Sequence, residues 1–222
     1  MTRTSHLRLR PLLACAMCFA LAGCLGSSRP ARFYTLEPLH VRDGPSSTGT
    51  DATLTVAPVE LPDYVDRPQI VTRTGANELV IAEFDRWGGS LDNQIGNSLV
   101  TTLRDRLAPE QIAVVPWRSP IVSDGPSYRV RVKVSRFDGI LGQTVIFQAR
   151  WELSVQSGGG KEESLGVKDA SVTEAINGPE YDALAAAMQR AVVRFGQQMA
   201  DGIAVAKQVA RAPERPAGSA RP

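Results

Sequence analysis

The chain has 222 residues, and its 25 lysine and arginine residues nearly balance its 23 aspartate and glutamate residues. Three of the basic residues and none of the acidic ones lie in the first 23 positions, so the rest of the chain carries 22 minus 23, a net charge of −1. This balance excludes a nucleic-acid-binding surface, which requires a persistent basic excess.

Residues 1–23 predict a cleaved lipoprotein signal peptide. They combine a basic opening, an apolar run from Leu12 to Ala22 and small residues before Cys24. The run is too short to span a bilayer as a helix. The step Leu21-Ala22-Gly23-Cys24 resembles the bacterial lipobox, which implies N-acyl and S-diacylglycerol groups on Cys24. The alternative is an ordinary signal peptide with an incidental cysteine.

Cleavage before Cys24 would leave that residue as the one remaining thiol, so no internal disulfide framework is expected. More than one acyl chain anchors a protein stably without a transmembrane helix. Leu25, and not an aspartate, follows the cysteine, which under the enteric sorting rule favours the outer membrane. Residues 24–32 are therefore expected to be the lipidated cysteine and a short tether.

The first part of the folded region contains two predicted strands and a stiff connection. Residues 33–36 and 53–56 have strand patterns. Three prolines then fall between positions 58 and 68. Prolines at this density prevent both a helix interior and a central strand, so Val59–Pro68 is expected to be an extended, semi-rigid surface segment.

A β-hairpin follows. Ile70–Val71 and Leu79–Ile81 are two apolar runs, and the residues between them include Gly75 and Asn77. These two residue types supply the positive φ that a tight turn requires, so we expect the chain to reverse here.

An amphipathic helix is predicted from Leu91 to Leu107, where a leucine or isoleucine recurs every four residues. Ser90 is placed to cap the helix and Pro109 to stop it. The apolar run Ile112–Val115 then predicts a short buried strand. The order of strand, helix and strand favours a right-handed crossover and a parallel pair.

Two long strands are predicted from alternating apolar residues at 128–134 and 145–155. The connection from Asp138 to Gln143 contains two glycines, so the strands are expected to be antiparallel neighbours. Residues 165–172 predict a further strand, although their alternation is interrupted.

The final helix is predicted to begin near Asn177-Gly178-Pro179-Glu180. Its apolar stripe would cover the sheet; contact with lipid or a partner is the alternative. The sequence thus predicts a single α/β domain over residues 33–208, a mixed β-sheet covered by two main amphipathic helices, and a disordered tail over 209–222. The stripe consists of Tyr181, Leu184, Met188, Val192, Phe195, Met199 and Ile203.

Motifs for catalysis are nearly absent from the sequence. His40 is the only histidine after the signal peptide, which leaves little for a histidine-based triad or a zinc site. Gly158-Gly159-Gly160-Lys161 lacks P-loop spacing and is interpreted as a hairpin connection. The acids Asp66 and Asp85 each precede an arginine, an arrangement that more often fixes loops than performs acid-base chemistry. The sequence therefore predicts a protein that is not an enzyme and has no metal or other cofactor.

Several motifs together resemble one known family. They are Leu61-Pro62-Asp63-Tyr64-Val65-Asp66-Arg67-Pro68-Gln69-Ile70-Val71-Thr72-Arg73, Asn77-Glu78-Leu79, Phe84-Asp85-Arg86-Trp87 and Val114-Val115-Pro116-Trp117, after the opening Phe33-Tyr34-Thr35-Leu36. This pattern resembles the PqiC-type lipoproteins, also called the ABC-type transport auxiliary lipoprotein family. One departure is the step Gly88-Gly89-Ser90, where the family usually has an Ala-Glu-Pro-like step.

The resemblance implies a mixed α/β sheet and no catalytic residues. It implies a periplasmic accessory subunit, anchored in the outer membrane by the acyl groups on Cys24. Its partner would be an MCE-domain (PqiB-like) protein of a system that carries phospholipid or other hydrophobic molecules between two membranes. A homo-oligomer is left open. Two alternatives are a scaffold lipoprotein that contacts peptidoglycan-synthesis or outer-membrane assembly machinery, and a lipid carrier, which would require a large apolar cavity.

A docking surface for the MCE partner is hypothesised on Leu61–Arg73 and the Arg86-Trp87 corner. A proline-stiffened segment that holds aromatic and arginine side chains supplies interface anchors at low ordering cost. The alternative is that the two aromatic residues, Tyr64 and Trp87, plug the end of the sheet. The proposed contact residues are Tyr64, Asp66, Arg67, Gln69, Arg86 and Trp87.

Overall fold

The computed structural model describes residues 29–36, 50–121, 123–157 and 161–211. The predictions for the signal peptide, Cys24, the connection at 158–160 and residues 212–222 lie outside these residues. The described strands and helices belong to one compact unit that begins at Arg32. In chain order they are β1 (Arg32–Tyr34), β2 (Ala52–Val56), β3 (Gln69–Arg73), β4 (Leu79–Trp87), α1 (Leu91–Leu107), β5 (Ile112–Pro116), β6 (Ser127–Gly139), β7 (Thr144–Ser157), β8 (Lys161–Ala175) and α2 (Tyr181–Arg211), with a 3-10 turn at Ala108–Glu110.

The strands form two mixed sheets. The larger has the order β5-β2-β6-β7-β8, and the smaller has the order β1-β4-β3. Strand β2 is parallel to both β5 and β6, whereas β6, β7 and β8 are antiparallel in turn. Strand β4 is parallel to β1 and antiparallel to β3. The predicted α/β class with mixed pairing and two covering helices is therefore confirmed, with the strands divided between two sheets.

The predicted parallel pair across α1 has a different partner from the one expected. Strand β5 pairs with β2, with Leu54 opposite Val114, and not with the hairpin strand that precedes α1. All four residues of Ile112–Val115 are buried, as in a parallel strand covered on both faces. Arg104 of α1 donates from Nε to the Val114 carbonyl at 2.8 Å, so the helix also covers the outer edge of β5.

The β3–β4 hairpin forms as predicted, but its turn has a different backbone from the one expected. Neither Gly75 nor Asn77 has a positive φ. The five-residue connection is long enough to reverse the chain without one. In the β6–β7 connection, by contrast, Gly142 does have a positive φ of 72°.

Helix α1 ends where predicted, at Leu107 before Pro109, but the expected cap is not formed. Ser90 occupies the N-cap position and makes no side-chain cap hydrogen bond. Its hydroxyl instead accepts from Asn93 Nδ2 at 2.7 Å. An amide side chain one turn along the helix has therefore replaced the backbone N–H as the partner of this hydroxyl.

Helix α2 covers the larger sheet, as predicted. Six stripe residues, from Leu184 to Ile203, are at most 1% exposed, and Tyr181 is half-buried. Phe195 packs on Phe147, with ring centroids 4.9 Å apart. This burial excludes the alternative of a stripe facing lipid or a partner. The helix runs to Arg211, so residues 209–211 are helical and not part of a disordered tail.

Candidate docking surface

The predicted docking segment is fixed to β6 by its backbone. Glu60 donates its N–H to the Val132 carbonyl at 3.0 Å, and its own carbonyl accepts from Val134 N–H at 2.9 Å. A turn follows, in which Val65 N–H donates to the Pro62 carbonyl at 3.0 Å. The segment is therefore not simply an extended surface strip: it begins beside β6 and then turns, with Val65 in the core.

The other end of the segment is fixed to the smaller sheet. Trp87 N–H donates to the Pro68 carbonyl at 2.7 Å, and Gln69 lies opposite Arg86 in the β3–β4 pairing. Since both ends are held by backbone hydrogen bonds, residues 60–69 have one defined path over the protein.

Asp138 at the end of β6 ties this segment to both sheets. Its carboxylate is fully buried and accepts from Tyr64 Oη at 2.7 Å, from Arg73 Nε at 2.8 Å and from Arg136 Nη2 at 3.0 Å. The Tyr64 hydroxyl also accepts from Phe137 N–H at 3.0 Å. We call these residues, Tyr64, Arg73, Arg136 and Asp138, the Asp138 cluster.

Electrostatics stabilise the charges within the Asp138 cluster. Burial alone would raise the pKa of Asp138, but hydrogen bonds from Tyr64, Arg73 and Arg136 outweigh it, and the pKa is lowered. Burial, together with the hydrogen bond to Asp138, raises the pKa of Tyr64 to about 12. The carboxylate therefore stays ionised and fully paired, which suits it to hold structure and not to exchange protons.

The two aromatic residues of the predicted surface serve the fold. Trp87 is 4% exposed and belongs to the core, so its prediction as a direct partner contact is wrong. The physical reason is that Trp87, the last residue of β4, points its side chain into the core and not toward solvent. Tyr64 is half-buried, and its hydroxyl is already bonded to Asp138 and Phe137. The alternative, that these aromatic residues close the end of the sheet, fits both positions.

The four polar residues of the prediction are brought together at the surface. Asp66 is exposed, whereas Arg67, Gln69 and Arg86 are partly exposed. The Nε atoms of Arg67 and Arg86 are buried and have no hydrogen-bond partner within the described part of the chain. We call Asp66, Arg67, Gln69 and Arg86 the polar docking face.

Sequence reasoning missed the residues that hold this face in place. The sequence places Arg73 at the end of the docking segment and Asp138 in the connection after the predicted strand, and it marks neither as a residue that holds the face. Asp85 is expected to fix a loop, but it joins two strands instead: it accepts from Arg32 Nε and from Tyr34 Oη of β1, both at 2.8 Å. Apart from Arg136, which is two positions from Asp138, the partners are at least 51 positions apart in the chain, so no local pattern links them.

The described residues offer neither a metal site nor a membrane-spanning helix. Within the described residues, no group of three or more histidine, cysteine, aspartate or glutamate side chains is arranged to hold a metal ion. Within the same residues, no helix has the length and hydropathy needed to cross a membrane.

Comparison with known proteins identifies the family. The chain is 31% identical over 138 residues to the intermembrane transport lipoprotein PqiC of Escherichia coli strain K12, a match that covers 61% of this chain and 70% of that protein. The PqiC of Shigella flexneri matches to the same extent.

Two crystal structures share the fold. One, of an uncharacterised protein, is 22% identical with a TM-score of 0.61 and covers 79% of this chain and 99% of its own. The other, of a Xanthomonas campestris protein, is 19% identical with a TM-score of 0.58, and covers 81% and 98%. A family model described as the ABC-type transport auxiliary lipoprotein component matches residues 34–200, nearly the whole folded region. The chain therefore belongs to the ABC-type transport auxiliary lipoprotein family.

Proposed function

We propose that this chain is an accessory subunit of an intermembrane lipid transport system, and that it acts by docking to an MCE-domain protein. Family membership and the likeness to PqiC support the transport role. The acyl groups on Cys24 hold the domain to the periplasmic face of the outer membrane. The protein carries out no chemical step and requires no cofactor.

The hydrogen bonding of residues 60–69 is the observation that carries the docking mechanism. Backbone hydrogen bonds fix this segment at both ends, and Tyr64 fixes its middle to Asp138. Ordering a loop on binding costs free energy, and that cost is already met in the free protein. The backbone of the segment therefore already has its binding conformation, and only the arginine side chains of the polar docking face rotate.

The two arginines of the polar docking face define the chemistry of the partner surface. Arg67 and Arg86 keep Nε donors that have no acceptor in the described part of the chain. Charge-assisted hydrogen bonds between guanidinium and carboxylate groups are strong and directional. An acidic patch on the MCE protein would supply the acceptors after a small rotation of each side chain, and Gln69 would add a neutral contact.

Crosslinking in intact cells tests this proposal. A photo-crosslinking residue is placed at position 66 or 69, and captured proteins and lipids are identified by mass spectrometry. We expect an MCE-domain protein from both positions. The double variant Arg67→Ala, Arg86→Ala should lose this capture while remaining folded. Arg106→Ala, a half-exposed arginine on α1, serves as the matched control and should keep it.

Two outcomes would contradict the proposal. Recovery of peptidoglycan synthases or outer-membrane assembly factors, with no MCE protein, would replace transport with the scaffold role. Capture of an MCE protein that persists in the folded double variant would leave the transport role but remove the polar docking face from it.

The membrane anchor has its own test. Cys24→Ala removes the sulfur that would carry the diacylglycerol, so the protein should leave the outer-membrane fraction and lose the mass of its acyl groups. Retention of the variant in the outer membrane, or an unmodified Cys24 in the wild type, would refute lipid anchoring.

A further inference from the structure

Strand β8 ends the larger sheet with a long free edge. It has 15 residues, and within the described part of the chain no strand pairs with its outer side. At each end of this sheet an arginine of a helix bonds to one strand carbonyl: Arg104 of α1 bonds to Val114 on β5, and Arg190 of α2 bonds to Ala175, the last residue of β8. The rest of β8, from Lys161 to Glu174, has no such contact among the described residues. Unpaired N–H and C=O groups on a long edge strand are a template for another strand.

A groove lies beside the first half of this edge. The last turns of α2 and strands β7 and β8 enclose a volume of about 320 Å³. Its lining is mostly apolar and includes Trp151, Leu153, Gly166, Lys168, Val205 and Ala206. Further along β8 the groove is closed, since Val172 and Glu174 are buried beneath α2 and Glu174 is paired with Arg194 at 2.9 Å.

Two residues of β8 give the groove one apolar position and one charged position. Gly166 lies opposite Leu153, and Lys168 lies opposite Trp151, so both face the groove. The position of a side chain on Gly166 would be open, with no atom within 4 Å. Lys168 Nζ lies 5.7 Å from the Trp151 ring centroid and makes no ion pair with any described residue. An apolar opening and a cation that has an aromatic neighbour but no acidic partner among the described residues thus lie two residues apart on one face of an edge strand.

We propose that the outer edge of β8 binds an extended segment of a partner protein as an added antiparallel strand, which places an apolar side chain over Gly166 and an acidic side chain at Lys168. Residues two apart on a strand share a face and are separated by about 6.8 Å, so the apolar and acidic side chains of the partner are also two residues apart. In antiparallel order the partner sequence is acid, any residue, apolar residue. Backbone hydrogen bonds supply affinity, and the groove and Lys168 supply selectivity.

The occupant is a peptide and not an acyl chain because β8, which lines the groove, is an edge strand whose outer side pairs with no described strand. An acyl chain would fill the apolar volume but leave the β8 edge without hydrogen-bond partners. This inference goes beyond the transport role proposed above. It shares no residue with the polar docking face, so either proposal can fail while the other stands.

The test uses the full mature chain and three blocked nine-residue peptides. All have threonine at the remaining positions; their central triplets are Glu-Thr-Leu, Leu-Thr-Glu and Lys-Thr-Leu. Affinity is measured by fluorescence polarisation, and the site is located by NMR shifts of backbone amides. We expect the first peptide to bind most tightly and to shift the amides of residues 165–169. In an added strand, alternate backbone amides of the peptide face β8 and the others face solvent. N-methylation of the amides that face β8 should abolish binding, while N-methylation of the others should not.

Matched variants separate the groove from the rest of the surface. Lys168→Glu should weaken binding of the Glu-Thr-Leu peptide about fivefold or more and strengthen binding of the Lys-Thr-Leu peptide. Lys161→Glu, on the same strand but outside the groove, should change neither. Ala206→Phe fills the groove and should lose binding at least tenfold, whereas Ala186→Phe, exposed on the first half of α2, should retain it. Circular dichroism confirms that each variant is folded.

Several results would overturn the proposal. They are no shift at residues 165–169, equal affinity for the Glu and Lys peptides, or full binding by the Ala206→Phe variant. Evidence that something else occupies the groove would also overturn it. A dimer in sedimentation that Ala206→Phe dissociates would indicate a second copy of the chain. Amide shifts in β8 on deletion of residues 212–222, without peptide, would indicate the chain's own C-terminal residues, and shifts caused by palmitate but by no peptide would indicate an acyl chain.

Discussion

Replacing Tyr64 by phenylalanine tests whether the Asp138 cluster holds the docking segment. The change removes one oxygen and keeps the ring. That oxygen donates to Asp138 Oδ2 at 2.7 Å and accepts from Phe137 N–H at 3.0 Å. The variant therefore removes one of the donors to a fully buried carboxylate and leaves a buried backbone N–H without its acceptor.

The expected cost follows from these two bonds. A hydrogen bond to a charged group contributes about 1.5–3 kcal/mol, and a buried polar group left unpaired costs about 1–3 kcal/mol. Some relaxation around the removed oxygen is expected, so we predict a loss of about 2–4 kcal/mol in the free energy of unfolding. For a domain of this size, that loss lowers Tm by roughly 5–15 °C.

Urea unfolding at neutral pH measures this loss, and Tyr181→Phe is its control. Tyr181 is also half-buried, but its hydroxyl has no hydrogen-bond partner among the described residues. The control should change stability by less than about 0.5 kcal/mol. A Tyr64→Phe variant as stable as this control would refute the role assigned to the Asp138 cluster.

The pH dependence gives a second, independent measurement. The folded state raises the pKa of Tyr64 from 10.0 to about 12, so the neutral hydroxyl is favoured in the native protein. Its stabilisation is present below pH 10 and is lost as the pH rises toward 12. The difference in stability between the wild type and Tyr64→Phe should therefore shrink across this window. A difference that stays constant from pH 7 to 12 would contradict the hydrogen-bonding argument.

Two further substitutions test the packing and the charge network of the larger sheet. Gly202→Val should destabilise the protein by about 1–3 kcal/mol in urea unfolding, because a Cβ at Gly202 would lie 2.9 Å from the Trp151 ring; Gly75→Ala, where the space is open, should have little effect. Glu162→Gln should destabilise the protein at neutral pH, because hydrogen bonds from Arg131 and neighbouring groups lower the pKa of Glu162 from 4.5 to about 2. That contribution is present above pH 4.5 and lost as the pH falls toward 2, so thermal unfolding of the variant and the wild type should converge in acid.

Local sequence patterns predicted most elements of this fold because each pattern is set by nearby residues. The four-residue period of α1 and the stripe of α2 reflect burial of one helix face. The alternation around Val130 and Leu153 likewise reflects one buried face of a sheet. The partner of β5 was not predictable in this way, since apolar strands of similar length carry no local mark of which neighbour they pair with.

The Asp138 cluster was missed for a related reason. In the sequence, the apolar alternation of β6 stops at Val134, which places Asp138 in the following connection. A register shift between Val134 and Arg136 instead lets the strand continue and buries both Phe137 and Asp138. A bulge of this kind is set by pairing with β7 and changes the face of each later residue. The only local signal was an acid placed directly after a phenylalanine near the end of an apolar strand.

The buried position of Trp87 gives a way to distinguish contact residues from supporting residues on the docking segment. Trp87→Ala removes a core side chain and should cost about 3–5 kcal/mol, and it would also disturb the strand end whose N–H bonds the Pro68 carbonyl at 2.7 Å. Partner capture should then fall together with stability, and recover in a stabilised background or at lower temperature. Arg67→Ala should lose capture with little change in stability, and cooling should not restore it. Arg67 would not be a contact residue if Arg67→Ala lost as much stability as Trp87→Ala does. Trp87 would be more than a supporting residue if a folded Trp87→Ala variant still failed to bind the partner.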